Sequence, residues 1–416
     1  MTQKTLRALL LSAVLAAPAF AQGLPHARPG DVGLIAAPLE RIAGWLQATV
    51  DSGKLPGAVA VVARHGKVAY VASIGAMNPG AVFRIYSLTK PIASAAVMQL
   101  YESGKLRLDD PVSKYIPSFA QVKVFAGGSA DQPLLRDPDR PITIADLLTH
   151  TSGLTYGFIG NTPVDTIYRR ANLFGPTWTI AQLSDSLAHL PLAFSPGTRW
   201  NYSFGIDVLG RVVEVVSGTT FDRYLDSAIF QPLGMQMRAF HATPAMEGHI
   251  LPMYSRGTDG KLHEATPLLS PEFTAEGKVF SGGAGLLSTP DDYLRFAQML
   301  LNRGQVNGRR ILKAETVDLM MQNHLPPGLT PIHVTPDWPP GPSGFGYGGA
   351  VRVEGDSSVP GTAGTFRWAG AAATFYWVDP KTDLIAMFWT QYMPITDMWS
   401  QDAKFQRLVY AAIARP

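Results

Sequence analysis

The sequence predicts an α+β fold in which one sheet is built from N- and C-terminal segments, helices pack on its faces and a mainly helical lobe is inserted. Strand-like runs occur near both ends of the chain, whereas short helical stretches broken by Pro and Gly fill the middle. Hydrophobic residues make up 46% of the 416 residues and charged residues only 16%. This composition is too apolar for a disordered chain and indicates a large folded core.

The first 21 residues have the features of a secretory signal peptide. Two basic residues precede an apolar run from Leu9 to Leu15, and Ala19-Phe20-Ala21 forms a small-x-small cleavage site. The apolar run is well short of the roughly 20 residues that a membrane-spanning helix needs. We therefore predict cleavage after Ala21, a periplasmic or secreted location and no stable membrane anchor. The chain has no cysteine, which excludes lipidation at the cleavage site, disulfides and thiolate metal sites.

The N-terminal part of the mature chain predicts a helix followed by a hairpin. Apolar residues recur at spacings of three and four over 36–51, the pattern of an amphipathic helix. Two β-rich runs follow at 57–63 and 67–73, separated by a short turn that contains Gly66. A second helix is predicted over 92–103, so Ser87 stands at or just before a helix N-terminus.

The middle and the end of the chain differ in pattern. Short helices are predicted at 142–149, 179–188, 204–217 and 220–229, then a longer one at 290–302. Strand-like segments return at 346–353, 365–368, 372–378 and 384–391 before a final helix at 401–414. We therefore assign residues 22–108 and 276–416 to the sheet domain and residues 109–275 to the helical lobe.

The segment Ser87-Leu88-Thr89-Lys90 is the only S-x-x-K in the chain. Residues three apart lie on one face of a helix, so the Lys90 amine can approach the Ser87 hydroxyl. A lysine whose pKa is lowered by burial can activate such a serine as a nucleophile. By itself the motif is equally compatible with a capping serine and a surface lysine.

Three further segments occur in a fixed order with this motif. They are TIADLLTHTSGL at 143–154, PGTRWNYSFGIDVLGRVVEVVSG at 196–218 and SGGAGLLSTPDDYLRFAQMLL at 281–301. Together the four segments resemble the serine β-lactamase and penicillin-binding-protein superfamily, in its class C-like branch, and are most similar to family VIII carboxylesterases. The resemblance covers roughly residues 36–412. It implies the β-lactamase/DD-peptidase-like fold, with an antiparallel sheet flanked by helices.

The resemblance also implies roles for individual residues. Ser87 would be the acylated nucleophile, and Lys90 and Tyr202 would carry its proton. The resemblance does not specify which of these two side chains is the base. The backbone N–H groups of Ser87 and Ala371 would form the oxyanion hole. The third family motif, usually Lys-Thr-Gly, is replaced by Trp368-Ala369-Gly370.

Two departures from the family pattern bear on the substrate. β-Lactamases use the third-motif lysine to attract the β-lactam carboxylate and an asparagine to bind its side-chain amide. Here Trp368 and Phe204 stand at these places, which favours neutral, hydrophobic esters over anionic β-lactams. Arg352 or Arg367 could supply the missing cation. Ala369, where a glycine is typical, is a smaller departure.

Aromatic residues in Gly/Pro-rich loops are candidates for an acyl or alcohol pocket. The predicted pocket comprises Trp368, Ala369, Gly370, Phe204, Tyr156, Trp178, Trp338 and Phe345. His150 ends a helical stretch, where we expect a structural hydrogen-bonding residue and not a catalytic base.

The predicted function is that of a serine carboxylesterase that hydrolyses neutral, short-chain or aromatic esters through an acyl-enzyme on Ser87. The alternatives are a β-lactamase, a D-amino-acid peptidase or an acyltransferase on the same scaffold, and a non-catalytic ligand-binding relative. No cofactor and no metal is expected, because no H-E-x-x-H or similar close pair occurs. The nearly balanced charge favours neither nucleic acid nor an anionic membrane as a partner. The sequence leaves the oligomeric state open.

Overall fold

The structure is a computed structural model that describes residues 23–75, 77–173, 178–267, 279–335, 338, 341–355 and 357–414. The predicted signal peptide lies outside the described residues.

The helices are distributed along the whole of this described chain. They are α1 (Ala36–Asp51), α2 (Thr89–Glu102), α3 (Ile144–Thr149), α4 (Pro163–Arg170), α5 (Ile180–Ala188), α6 (Gly205–Ser217), α7 (Phe221–Leu225), α8 (Gln231–Leu233), α9 (Pro290–Leu301), α10 (Ala314–Met321) and α11 (Trp399–Ala411).

The strands belong to one large sheet and several small ones. They are β1 (Gly57–Arg64), β2 (Lys67–Gly75), β3 (Phe83–Arg84), β4 (Val124–Gly128), β5 (Pro133–Arg136), β6 (Tyr254–Arg256), β7 (Leu262–Glu264), β8 (Leu287–Ser288), β9 (Gln305–Val306), β10 (Arg309–Arg310), β11 (Ser343–Phe345), β12 (Ala350–Arg352), β13 (Phe366–Gly370), β14 (Thr374–Asp379), β15 (Leu384–Trp389) and β16 (Tyr392–Met393).

The large sheet joins the two ends of the chain. Its strand order is β11-β12-β13-β14-β15-β1-β2, and all neighbouring strands are antiparallel. The junction is the pairing of β1 with β15, in which Val59 lies opposite Trp389. This architecture is the β-lactamase/DD-peptidase fold that the resemblance implied.

Helices cover both faces of this sheet. Every residue of β14 and β15 is buried, as expected for strands that are packed on both sides. Side chains alternate between the faces: Phe388 contacts Phe405 of α11 with ring centroids 5.8 Å apart, and Trp389 contacts Tyr293 of α9 at 5.6 Å. The core therefore forms two layers, one on each side of the sheet.

Several helices of the middle of the chain pack around α6. This helix packs against α2, α3 and α5, because its apolar positions recur at helical spacing and are buried, as at Val208, Leu209, Val212 and Val213. The predicted domain limits remain a prediction, and the limit at 275/276 lies outside the described residues.

Several elements differ from the sequence-based expectation. Of the strand predicted over 346–353, only Ala350–Arg352 is a strand, β12. Residues 346–349 form the turn that joins it to β11, which was not predicted, and Gly348 in this turn has a positive φ of 92°. The helix predicted over 220–229 is α-helical only in α7, which ends at Leu225, and Asp226–Phe230 follows it as a π-helical turn. The β4–β5 hairpin, α4 and α10 were not predicted.

Within the described part of the chain, no helix combines the length and the apolar character required to cross a bilayer. The same residues contain no cluster of three His, Asp or Glu side chains that could hold a metal ion.

Candidate active site

Ser87 lies in a 3₁₀ turn, Tyr86–Leu88, which leads directly into α2. Tyr86 has a φ of 42°, in the left-handed region that bulky residues rarely adopt. Such strain persists where the surroundings enforce it and is common at active sites. Here Tyr86 is buried, and the strand β3 before it is paired with β8. The turn that presents Ser87 is thus fixed from both sides.

Lys90 follows in the first turn of α2 and is completely buried. Its Nζ lies 3.2 Å from Ser87 Oγ and donates a hydrogen bond of 2.6 Å to the Gly283 carbonyl oxygen. Burial lowers the pKa of Lys90 to about 7, and the negative charge of Asp207 opposes this shift. A substantial fraction of the amine is therefore neutral near pH 7 and able to accept a proton.

Tyr202 lies beside these two side chains, just before α6. Its ring centroid is 4.5 Å from Lys90 Nζ. Its hydroxyl oxygen accepts a hydrogen bond of 3.3 Å from the indole Nε1 of Trp368 and is also hydrogen-bonded to Ser87. Burial raises the pKa of Tyr202 above its ordinary value, although the bonds from Ser87 and Trp368 lower it. The phenol is therefore protonated at neutral pH.

The end of β13 packs directly on the turn that carries Ser87. A Cβ at Gly370 would lie 2.1 Å from the Ile85 carbonyl oxygen, so only glycine allows this approach. Thr374 Oγ1, at the start of β14, donates a hydrogen bond of 3.4 Å to the same oxygen. This packing brings Ala371, the residue after Gly370, to the side of the Ser87 turn.

The predicted pocket residues are only partly brought together. Trp368 contacts Phe345 and Trp338, with ring centroids 5.2 and 5.5 Å apart. Tyr156 contacts Phe204 at 4.5 Å and Tyr202 at 5.2 Å. These rings form an apolar wall around the Tyr202 hydroxyl. In the described residues, no ring contact links Trp178 to this wall.

The two arginines that could have replaced the third-motif lysine are used elsewhere. Arg367 projects from β13 to α11, where it forms an ion pair of 2.5 Å with the buried Asp402. Its neighbour Trp368 faces Tyr202, on the opposite side of the strand. Arg352 donates a hydrogen bond of 3.0 Å to the Val359 carbonyl oxygen. Among the contacts of the described residues, neither arginine therefore supplies a cation to the group around the Ser87 hydroxyl.

His150 is a buried structural residue at the edge of this site. It ends α3 in a left-handed conformation, with a φ of 59°, and its Nδ1 lies 3.1 Å from Ser203 Oγ. Its ring is 4.8 Å from the Tyr202 ring. Burial, reinforced by the positive charge of Lys90, lowers the pKa of His150 well below its ordinary value, so the ring is neutral.

Sequence reasoning did not identify Asp207 and Gly283 as part of this site. Asp207 is 1% exposed and accepts hydrogen bonds from the Ser281 hydroxyl and the Gly283 N–H. Asp207 lies in the segment 196–218 and Gly283 in the segment 281–301, two of the segments that carry the family resemblance. The signal that could have revealed Asp207 is an acidic residue on the otherwise apolar face of α6.

Comparisons with known proteins agree with this fold and site. The Beta-lactamase family model matches residues 42–411. Esterase EstB of Burkholderia gladioli is 32% identical over 84% of this chain and 90% of its own. Lovastatin esterase of Penicillium rubens is 31% identical over 81% and 89%.

A solved structure described as EstCE1, a hydrolase with promiscuous acyltransferase activity, superposes with a TM-score of 0.76. It is 27% identical, and the match covers 90% of this chain and 99% of that protein. Relatives on this scaffold therefore include both ester hydrolases and acyltransferases. With the family model spanning nearly the whole sheet and lobe, the chain belongs to the serine β-lactamase and penicillin-binding-protein superfamily, alongside the family VIII-like esterases.

Proposed function

We propose that this protein is a serine carboxylesterase that acts on neutral, apolar esters of short-chain or aromatic acids through an acyl-enzyme on Ser87. The observation that carries the proposal is the 3.2 Å approach of the buried Lys90 Nζ to Ser87 Oγ. A buried amine with a pKa of about 7 is a suitable general base at neutral pH.

In the proposed reaction, the Ser87 hydroxyl attacks the ester carbonyl carbon while its proton passes to Lys90. The N–H groups of Ser87 and Ala371 stabilise the tetrahedral oxyanion. Tyr202, which is protonated and hydrogen-bonded to Ser87, returns a proton to the departing alcohol and regains it from Lys90. Water then repeats the sequence on the acyl-enzyme and releases the acid.

The ring contacts around Trp368 support a preference for neutral substrates. A carboxylate placed against Trp368, Phe345 and Trp338 would lose its hydration without gaining a cation, which is energetically costly. Acyl transfer to an alcohol remains the second candidate, because EstCE1 is described as having this activity.

The direct test is the variant Ser87→Ala, measured with p-nitrophenyl butyrate and a fluorophosphonate probe. We expect ester turnover to fall at least about 10³-fold and labelling to disappear, since the proposed acyl-enzyme forms on the Ser87 hydroxyl. The melting temperature should stay close to that of the wild type. Retention of more than a tenth of the wild-type turnover would exclude Ser87 as the nucleophile.

A second experiment separates the esterase from the β-lactamase alternative. We expect kcat/KM for p-nitrophenyl acetate to exceed that for nitrocefin by at least about 10²-fold, the effect of an unpaired buried charge. Trp368→Lys should reduce this difference in kcat/KM, because it restores a cation at the third-motif position. Trp338→Lys is the positional control. A wild type that prefers nitrocefin would place the protein among the β-lactamases. An added alcohol that increases ester product at the expense of acid would favour acyl transfer.

A further inference from the structure

Asp207 is the acidic side chain buried beside Lys90. It stands in the first turn of α6 and is 1% exposed. A carboxylate in this position is unfavourable unless polar groups compensate for its lost hydration. Its partners are the Ser281 hydroxyl at 2.5 Å and the Gly283 N–H at 3.1 Å, both to Oδ1, and the Tyr156 hydroxyl at 3.5 Å from Oδ2.

Gly283 connects this carboxylate to the lysine. Its N–H binds Asp207, and its carbonyl oxygen accepts the 2.6 Å hydrogen bond from Lys90 Nζ. The space around it is full, because a Cβ at Gly283 would lie 2.3 Å from Asp207 Oδ2 and 2.7 Å from the Tyr156 hydroxyl oxygen. Asp207 therefore fixes the peptide segment against which the Lys90 amine rests.

We propose that Asp207 is a positioning residue, which holds the Lys90 amine against the Ser87 hydroxyl through the Ser281–Gly283 segment and supplies the negative charge that the amine faces. The proposal rests on the proposed function, since it assigns Lys90 the role of base.

The other groups around Lys90 do not supply this charge. Tyr202 and Tyr156 present their ring faces to Nζ, at 4.5 and 5.2 Å from the centroids, and burial raises the pKa of both phenols. His150, at the end of α3, is neutral. Burial also raises the pKa of Asp207, but Lys90, Ser281, Gly283 and Tyr156 all act in the opposite direction and favour the carboxylate.

The isosteric variant Asp207→Asn tests the charge. The amide that replaces the carboxylate keeps an oxygen acceptor for Ser281 and Gly283 but loses the negative charge that favours the protonated lysine. The amine should therefore become neutral at a lower pH. The pKa of about 7 at Lys90 predicts an acid limb of kcat/KM near pH 7 in the wild type. In Asp207→Asn we expect this limb to move down by about one pH unit, with KM changed less than about threefold.

The variant Asp207→Ala tests the positioning. It removes the acceptor as well as the charge, so the Ser281–Gly283 segment loses its anchor. We expect kcat to fall about 10²-fold, the usual effect of misplacing a proton carrier. If this variant fails to fold, Asp207→Asn still decides the proposal.

The matched control is Asp402→Asn. Asp402 is another buried carboxylate whose pKa is raised by burial, but it lies in α11, where it forms an ion pair with Arg367. This variant should lower the melting temperature and leave the acid limb in place. Each pH profile is recorded twice, with p-nitrophenyl butyrate and as the rate of fluorophosphonate labelling of Ser87. A wild type that does not label would overturn the proposed function and this inference with it. A labelling wild type whose acid limb coincides with that of Asp207→Asn would overturn the inference alone, as would an unchanged kcat in folded Asp207→Ala.

Discussion

The two side chains beside the Ser87 hydroxyl, Lys90 and Tyr202, carry the proton transfers that we propose. Lys90 and Tyr202 are both buried, and burial shifts their pKa values in opposite directions, downward for the amine and upward for the phenol. At neutral pH one group can accept a proton and the other can donate one. Such a divergence of two neighbouring titratable groups is the usual basis of acid and base assignments in an active site.

If Lys90 and Tyr202 act as one proton-transfer unit, their substitutions should not combine independently. We expect Lys90→Met and Tyr202→Phe each to lower kcat about 10²- to 10⁴-fold, because each removes a proton carrier while nearly preserving volume. The double variant should be little worse than the poorer single variant.

The measurement is kcat on p-nitrophenyl butyrate for the complete double-mutant cycle. Phe345→Leu, at a ring in the apolar wall with no proton to transfer, is the control and should lose far less activity. A double variant whose loss equals the product of the two single losses would contradict a joint role.

At the scale of elements, the site depends on how closely β13 approaches the turn before α2. The closest point is Gly370, where an added Cβ would lie 2.1 Å from the Ile85 carbonyl oxygen and 2.3 Å from Thr374 Oγ1. Neither atom can move freely, because Ile85 precedes the strained Tyr86 and Thr374 begins β14. The spacing between Ser87 and Ala371 is therefore set by backbone contact.

Gly370→Ala should separate β13 from the Ser87 turn. We expect a loss of about 1–3 kcal/mol in the free energy of unfolding from overpacking and a loss of about 10²-fold in kcat from misplaced oxyanion-hole donors. Denaturant unfolding and ester turnover measure the two effects.

Gly44→Ala provides the matched control for this change. Gly44 lies inside α1, and a Cβ there would meet no atom within 4 Å. This substitution should stabilise the protein by about 0.5–1 kcal/mol through the higher helix propensity of alanine, without a change in kcat. Wild-type kcat in Gly370→Ala would show that the strand position does not govern the reaction.

At the scale of the whole molecule, we propose that the protein acts outside the cytoplasm. The proposal rests on residues 1–21, whose basic start, apolar run and Ala19-Phe20-Ala21 site are typical of a cleaved leader. When the full chain is expressed in a bacterium with two membranes, we expect the esterase in the periplasmic fraction with Gln22 as its first residue.

Intact-mass measurement and N-terminal sequencing of that fraction test this expectation. Ala21→Arg, which places a large charged residue at the cleavage site, should leave the uncut precursor in the membrane fraction. A cytoplasmic product that still carries the leader peptide would refute the assignment.

The sequence by itself determined the order and type of most helices and of most strands of the large sheet, and it singled out Ser87, Lys90 and Tyr202, which the structure brings together. Helical and strand periodicities are local properties, so α1 was predicted with its observed bounds and β1 and β2 within two residues. The hairpin of β11 and β12 was missed, because residues 346–349 were assigned to a strand although Gly-Tyr-Gly-Gly favours a reversal.

Only the tertiary structure decided how the charges are arranged. Asp207, Gly283 and Lys90 are far apart in sequence, and no local pattern shows that one peptide unit links the carboxylate to the amine. The same holds for Trp368, whose indole binds the Tyr202 hydroxyl 166 positions away. The pKa of a buried group depends on the atoms that replace its hydration shell. Those atoms come from distant segments, so folding determines the pKa values on which the reaction depends.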